Sequence, residues 1–293
     1  MSEFPQNIVA KPRLLFRPHA VLGWSLTPGY GVRVGFRPEI VQNIGADGWR
    51  LVPGAAESQG PRLAVYGCSF TYGTGLADDE TFVALLQRDL PAGQLLNRGI
   101  GGQSTVQNFL QFRRDIASGQ IDAAIFAIMS DHRFRNIAHP KRMRQLLNMD
   151  WYRLGVEHVP VLRQGRDGQN TICYVPIWQP ALQQGGFDVF LPDDHMIDSA
   201  TLAILAETQN LAKAHKIPIQ FALLDQLDLG FNSAVQTRFD STIDISVPLD
   251  SDHSFLPHDP HPNQVANRAF SDRLVKAASN LIGRVEGRVH DQS

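Results

Sequence analysis

From residue 62 onward, short apolar runs alternate with segments of helical periodicity. Leu63 to Gly67 is an apolar run that ends in glycine, which is typical of a buried parallel strand. The alternation continues along the chain and predicts further elements: strands at 95–97, 123–129 and 217–224, and helices from 79 to 90, 105 to 116, 202 to 215 and 265 to 282. Strands that alternate with helices form a parallel sheet covered on both faces, so the predicted fold is a three-layer α/β sandwich.

Two segments depart from this rhythm. Residues 1–58 are rich in proline, glycine and arginine and are expected to form an extended N-terminal arm on a main domain of residues 59–293. Residues 140–200 interrupt the alternation. Within them, 156–162 and 171–175 read as strands around a turn at 166–168, which predicts a β-hairpin insertion.

Charge and composition exclude several classes of protein. The 27 basic and 29 acidic residues give a net charge of −2, so no electrostatic footprint for nucleic acid is present. A membrane span needs about eighteen consecutive apolar residues, and the sequence contains no such run. The first residues lack the pattern of a signal peptide, so a cytoplasmic location is expected. Cys68 and Cys173 do not suggest a disulfide framework.

Three polar segments carry candidate chemistry. Ser69 follows the first strand in Gly67-Cys68-Ser69, where a tight turn can expose its hydroxyl. The glycines of 99–102 follow the second strand and let backbone N–H groups approach a substrate closely. His261 lies just before the last helix, where a neighbouring carboxylate, Asp259, can orient it to take a proton from a serine.

These segments together resemble the motifs of the SGNH/GDSL hydrolase family. Gly67-Cys68-Ser69 is similar to the family's Gly-Asp-Ser block, 97–102 to its Asn-x-x-x-x-Gly block, and 259–263 to its block of acid, base, proline and asparagine. The stretch 43–50 is similar to a segment that often precedes the first block. The resemblance covers about 45–135 and 215–285, and it implies a flavodoxin-like SGNH fold. It also implies roles for four residues: Ser69 is the nucleophile, Gly102 is an oxyanion donor, His261 is the base, and Asp259 is the acid that pairs with His261.

The third block of the family departs from its pattern here. Ser130 stands in 127–133 where the family has an asparagine that completes the oxyanion hole. The resemblance therefore implies that Ser130, His132 or Arg133 supplies the missing donor, or that activity is weak or altered. His132 and Arg133 are further candidates for substrate contact, or form a structural corner with Asp131.

The expected function is cleavage of an ester-linked small acyl group, with acetyl on a carbohydrate as the substrate that the resemblance favours. Neither a cofactor nor a metal is expected, since the Asp and His residues of 250–261 fit no common zinc spacing. Two alternatives stay open. One is an O-acyltransferase acting on a glycan through the same serine, and the other is a degenerate binding protein on the same fold. Ser69 read alone also fits an ordinary N-cap or a phosphate-binding turn.

Overall fold

The computed structural model describes residues 8–10, 15–148, 151–165, 169–177 and 192–290. The strands in chain order are β1 Ile8–Ala10, β2 Phe16–His19, β3 Gly23–Leu26, β4 Gly31–Val34, β5 Arg37–Asn43, β6 Arg62–Gly67, β7 Gln94–Gly99, β8 Ala123–Ile128, β9 His158–Gln164, β10 Asn170–Pro176, β11 Ile219–Asp225, β12 Thr242–Val247, β13 Ser254–Phe255 and β14 Asp259–Pro262. The helices are α1 Ser69–Tyr72, α2 Phe82–Asp89, α3 Thr105–Ala117, α4 His132–Arg135, α5 Pro140–Asn148, a 3₁₀ turn Trp151–Leu154, α6 Asp194–Ala214, α7 Leu229–Arg238 and α8 Gln264–His290.

A five-stranded parallel sheet with the order β12-β11-β8-β6-β7 forms the centre of the fold. If the five strands are counted along the chain, this is the flavodoxin-like order 2-1-3-4-5. The chain reverses direction across the sheet between β6 and β8. In such sheets, ligands bind beyond the carboxyl ends of the strands at this switch point.

Helices cover both faces of the sheet, and each face has its own apolar core. On one face α2 and α8 pack through residues that include Phe82, Leu86, Phe270 and Leu274. On the other face α3, α6 and α7 pack through residues that include Phe112, Leu205 and Phe231. The predicted three-layer α/β sandwich is therefore confirmed.

The element boundaries differ from the sequence expectation at several helix ends. Helix α2 begins at Phe82 because the Thr81 side chain caps it, and not at Asp79. Helix α6 begins at Asp194, eight residues before the predicted start at 202, with Asp193 as its N-cap. The hairpin in the 140–200 region is confirmed as the antiparallel pair β9 and β10. Its turn at 166–168 lies outside the described residues.

The N-terminal segment forms small antiparallel sheets that contact the central domain. Strands β2 and β3 form a hairpin, and β1, β4 and β5 form a three-stranded sheet. The buried Gln42 donates its amide to the carbonyls of Gly73 and Leu76, in the loop that follows α1. The described segment from residue 15 is thus held close to the first strand–helix turn. Its division from residues 59–293 as a separate arm stays a prediction.

Within the described parts of the chain, no helix combines the length and the apolar character that a membrane crossing needs.

Candidate active site

Ser69 begins α1 directly after the carboxyl end of β6. A Cβ atom on Gly67 would lie 2.0 Å from Thr71 Oγ1, so only glycine allows the chain to turn this tightly into the helix. Cys68 and Phe70 are buried, whereas Ser69 is half-buried. Its Oγ lies 4.0 Å from Cys68 Sγ. The turn therefore presents the serine hydroxyl at the edge of the sheet where ligands bind.

Asn97 fixes the position of this turn relative to the neighbouring strand. Its side-chain amide donates to the Thr71 carbonyl at 2.8 Å, and its side-chain oxygen accepts the Gly99 N–H at 2.9 Å. One buried side chain thus joins α1 to the loop after β7. This contact gives a structural reason for an asparagine at the start of the second motif.

Gly102 lies in the loop between β7 and α3. Its φ of 75° falls in the left-handed region, which glycine adopts without steric cost. Within the residues that the structure describes, its N–H donates to no acceptor. The predicted oxyanion glycine therefore retains a free backbone donor.

Asp259 and His261 form a hydrogen-bonded pair on β14. His261 Nδ1 lies 2.5 Å from Asp259 Oδ1, and the same oxygen accepts the His261 backbone N–H at 2.8 Å. A carboxylate only accepts hydrogen bonds, so Nδ1 is the donor in this contact, and in a neutral imidazole Nε2 is then the proton acceptor. The His261 side chain is 25% exposed and that of Asp259 is 9% exposed. The pair is oriented as a general base requires.

The environment keeps Asp259 ionised. Burial raises the pKa of its carboxyl, but the hydrogen bond and charge of His261 outweigh burial, so the pKa lies below its ordinary value. A carboxylate that is ionised at neutral pH stabilises a positive charge on the imidazole beside it.

The first and last motifs meet at this end of the sheet. Helix α1 packs against β14, and the Phe70 and His261 rings contact each other edge-on at 5.8 Å between centroids. No hydrogen bond joins Ser69 Oγ to His261 among the described contacts. Such bonds are often long in unliganded enzymes and shorten when the substrate binds. The structure therefore brings together the two segments that carry Ser69 and His261.

Ser130 is engaged elsewhere. Its hydroxyl donates to Asp225 Oδ1 at 2.6 Å and its backbone N–H donates to Asp225 Oδ2 at 2.7 Å. Both residues are buried. The only hydroxyl hydrogen is used by this bond, so the geometry argues against the expectation that Ser130 is an oxyanion donor.

His132 and Arg133 are also unsuited to substrate contact. His132 is fully buried and its Nδ1 faces Thr105 Oγ1 at 3.3 Å. Burial and, to a smaller extent, the Arg135 charge place its pKa well below the ordinary value, so the imidazole is neutral. Arg133 makes ion pairs with Asp198 and Asp228 at 2.7 and 2.6 Å. Both residues therefore have a structural role in α4, but the predicted corner with Asp131 is wrong in its partner, because Asp131 pairs with Arg135 and Lys141.

A second Asp–His pair lies near the last motif. His253 Nδ1 lies 2.8 Å from Asp250 Oδ1 on an exposed loop, and the His258 ring stacks on Phe36. Within the described residues, no three or more His, Cys, Asp or Glu side chains are grouped so that they could hold a metal ion.

The sequence reasoning did not identify three side chains around the loop of Gly102. In this loop, the Gly101 carbonyl accepts a hydrogen bond from Trp24, the Gly102 carbonyl from Arg142, and the Gln103 carbonyl from Arg135. No local motif marks these donors, since each lies 32 or more positions from its acceptor.

A cavity of about 500 Å³ lies between the β2–β3 hairpin and α3. Its lining includes Arg17, His19 and Arg114 but no residue of the three motifs. It is therefore separate from the Ser69 site.

Comparisons with known proteins give structural similarities only. No protein-family model and no curated protein matches the chain. The fold is similar to a member of the lipolytic G-D-S-L family from Veillonella parvula, with 13% identity, 73% of this chain and 96% of the other covered, and a TM-score of 0.41. It is also similar to a psychrotrophic esterase from a Pseudoalteromonas species, with 11% identity, 76% of this chain and 99% of the other covered, and a TM-score of 0.40. A third similar structure is a catalytic mutant of an acetylxylan esterase from Geobacillus stearothermophilus, with 10% identity, 75% of this chain and 94% of the other covered, and a TM-score of 0.40.

The G-D-S-L family, which the sequence motifs resemble, is the family named for the Veillonella parvula protein. At identities this low, the similarities do not define an activity for the chain.

Proposed function

We propose that this protein is a serine hydrolase of the SGNH/GDSL type that cleaves an ester-linked acyl group. The observation that carries the proposal is the Asp259–His261 pair, bonded at 2.5 Å on a strand that packs against the helix begun by Ser69. An isolated serine at a turn fits many roles. A serine beside an oriented, carboxylate-bound imidazole fits acyl transfer.

The proposed reaction begins with attack of Ser69 Oγ on the ester carbonyl carbon while His261 Nε2 takes the hydroxyl proton. Asp259 keeps the Nδ1–H in place and stabilises the imidazolium that forms. The tetrahedral oxyanion accepts hydrogen bonds from the Ser69 and Gly102 N–H groups. As the carbon–oxygen bond to the alcohol breaks, His261 returns the proton to the leaving oxygen.

The second half of the reaction reverses these roles. Water donates a proton to His261 and attacks the acyl-serine, and Ser69 then leaves with the proton restored. A sugar hydroxyl in place of water would give a transferase. We propose a small acyl group such as acetyl, carried by a carbohydrate, as the substrate that the motif resemblance favours.

The test is hydrolysis of p-nitrophenyl acetate, butyrate and octanoate by the wild type, Ser69→Ala and His261→Ala. Ser118→Ala serves as the matched control, because Ser118 is an exposed serine at the C-cap of α3. We expect both site variants to lose about 10³-fold or more in kcat, with acetate the best substrate and Ser118→Ala unchanged.

Equal rates for all four proteins would contradict the proposal. Repeating the acetate reaction with added oligosaccharide acceptors separates hydrolysis from transfer, because a transferase forms an acetylated sugar in place of free acetate.

A further inference from the structure

Three consecutive carbonyls of the loop after β7 each accept a hydrogen bond from a side chain outside the parallel sheet. Trp24 Nε1 donates to Gly101 at 3.0 Å, Arg142 Nη2 to Gly102 at 2.5 Å and Arg135 Nη1 to Gln103 at 3.1 Å. A hydrogen bond to a carbonyl fixes the plane of its peptide unit. The loop that carries the proposed oxyanion donor is thus oriented by three separate elements: β3, α5 and α4.

The bond from Trp24 acts on the donor itself. The Gly101 carbonyl and the Gly102 N–H belong to one planar trans peptide and point in opposite directions. When Trp24 holds the carbonyl on one side, the N–H is directed to the other side. Hydrogen bonding to the carbonyl also polarises the peptide and strengthens the N–H as a donor.

This external restraint matters because the loop has little conformational preference of its own. Gly101 and Gly102 are adjacent glycines, and Gly102 has a φ of 75°. Glycine visits positive and negative φ with similar ease. Side chains from other elements must therefore select the conformation that points the Gly102 N–H at a substrate.

Trp24 is itself rigidly held. It is fully buried and stacks on Trp151 with 4.4 Å between ring centroids. Its backbone carbonyl accepts a hydrogen bond from the Gln103 side chain at 3.0 Å. The β2–β3 hairpin and the loop after β7 thus hold each other through two bonds in opposite directions.

Arg142 adds a charge to this restraint. It is 6% exposed, and its guanidinium pairs with no carboxylate in the part of the chain that the structure describes. Burial, and then the nearby Arg135 charge, lower the pKa of Arg142 to about 9, so it remains a cation at neutral pH. The Asp131 charge acts on Arg142 through space, but none of the described carboxylates forms an ion pair with its guanidinium. A fixed cation in this situation is stabilised when negative charge develops nearby, as it does on the oxyanion.

We propose that Trp24 and Arg142 are positioning residues of the oxyanion hole, which hold and polarise the Gly101–Gln103 backbone so that the Gly102 N–H faces the reacting carbonyl. This inference rests on the proposed function. The Ser130 hydroxyl is bonded to Asp225, so the orientation of the Gly102 N–H matters more in this site.

The first test compares Trp24→Phe with Trp151→Phe. Each substitution replaces one of the two stacked indoles by a smaller ring. Only Trp24→Phe removes a hydrogen bond, because the buried Trp151 Nε1 has no partner among the described residues. A lost oxyanion donor costs about 10²–10³-fold in kcat, so a misdirected one is expected to cost about 10–100-fold. For p-nitrophenyl acetate we expect this loss in Trp24→Phe, an unchanged KM, and less than about threefold change in Trp151→Phe.

Two further readouts distinguish positioning from a general loss of structure. The Ki of a boronic acid, which forms a tetrahedral adduct on serine, should rise by the same factor as kcat/KM falls. The Gly102 amide resonance should shift in Trp24→Phe and not in Trp151→Phe. For the charge, Arg142→Lys should retain more of kcat than Arg142→Met.

The outcomes separate the inference from the function on which it rests. Wild-type kcat in Trp24→Phe, or equal losses in both tryptophan variants, overturns the inference and leaves the hydrolase proposal intact. A wild-type protein that neither cleaves esters nor reacts with a fluorophosphonate overturns the proposed function, and the inference with it.

Discussion

Asp259→Asn tests the charge of the proposed triad with little change in its shape. Asp259 uses a single oxygen, Oδ1, to accept both the His261 ring Nδ1–H and the His261 backbone N–H. An asparagine can place its amide oxygen in the same position and its NH₂ at the other oxygen's position. The two hydrogen bonds and the tautomer are then kept, while the negative charge is lost.

The expected magnitude follows from the charge separation. Unit charges about 4 Å apart interact by about 4 kcal/mol at an effective dielectric constant near 20. His261 is 25% exposed, so solvent reduces this to about 3 kcal/mol. Since about 1.4 kcal/mol corresponds to a factor of ten, we expect kcat to fall by about 10²–10³-fold. The KM should change little, because the imidazolium forms only during the reaction.

The assay is steady-state hydrolysis of p-nitrophenyl acetate, with Asp250→Asn as the matched control. Asp250 forms a similar pair with His253, through the ring Nδ1 and the backbone N–H, on an exposed loop. We expect Asp250→Asn to keep wild-type kcat. Equal kcat in Asp259→Asn and the wild type, or a larger loss in Asp250→Asn, would refute the assignment of the acid.

Three further substitutions test other parts of the site. Ser130→Ala should lower the free energy of unfolding by about 1–3 kcal/mol, because the buried Asp225 loses a hydrogen-bond donor. Its kcat should fall less than about threefold. Urea unfolding measures the first effect and ester hydrolysis the second. A kcat loss of about 10²-fold would restore Ser130 as an oxyanion donor. His132 is buried and neutral, so below about pH 6.5 the unfolded state binds more protons and stability falls as pH decreases, by up to about 1.4 kcal/mol per unit. His132→Gln should flatten this slope in urea titrations at several pH values, and an unchanged slope would contradict the account. Gly67→Ala should lose activity and about 1–3 kcal/mol of stability, since its Cβ would meet Thr71 Oγ1 at 2.0 Å; a wild-type melting temperature and rate would show that the turn is not tight.

The sequence was sufficient to predict the elements whose apolar pattern is local. Leu63–Gly67 and Ala123–Ile128 are buried along almost their whole length and appear as unbroken apolar runs. Strand β12, Thr242–Val247, was missed because polar residues alternate with apolar ones and its first half is only partly buried. An edge strand of this kind lacks the pattern that identifies the central ones.

The site residues also divide into those that a local sequence pattern reveals and those that it does not. Ser69, Gly102 and His261 lie in motifs whose spacing is visible along the chain. The partner of Ser130 is Asp225, 95 positions away, so its engagement could not be predicted from the segment around it. Trp24 likewise reaches Gly101 across 77 positions. Hydrogen bonds between distant segments depend on the tertiary fold, which the local pattern does not encode.

Mass spectrometry after reaction with a fluorophosphonate tests the central claim most directly. We predict a single adduct on the peptide that contains Ser69, formed much more slowly in His261→Ala and absent in Ser69→Ala. An unlabelled wild type, or an adduct on another residue with Ser69 unmodified, would contradict the claim that this hydroxyl and imidazole act together.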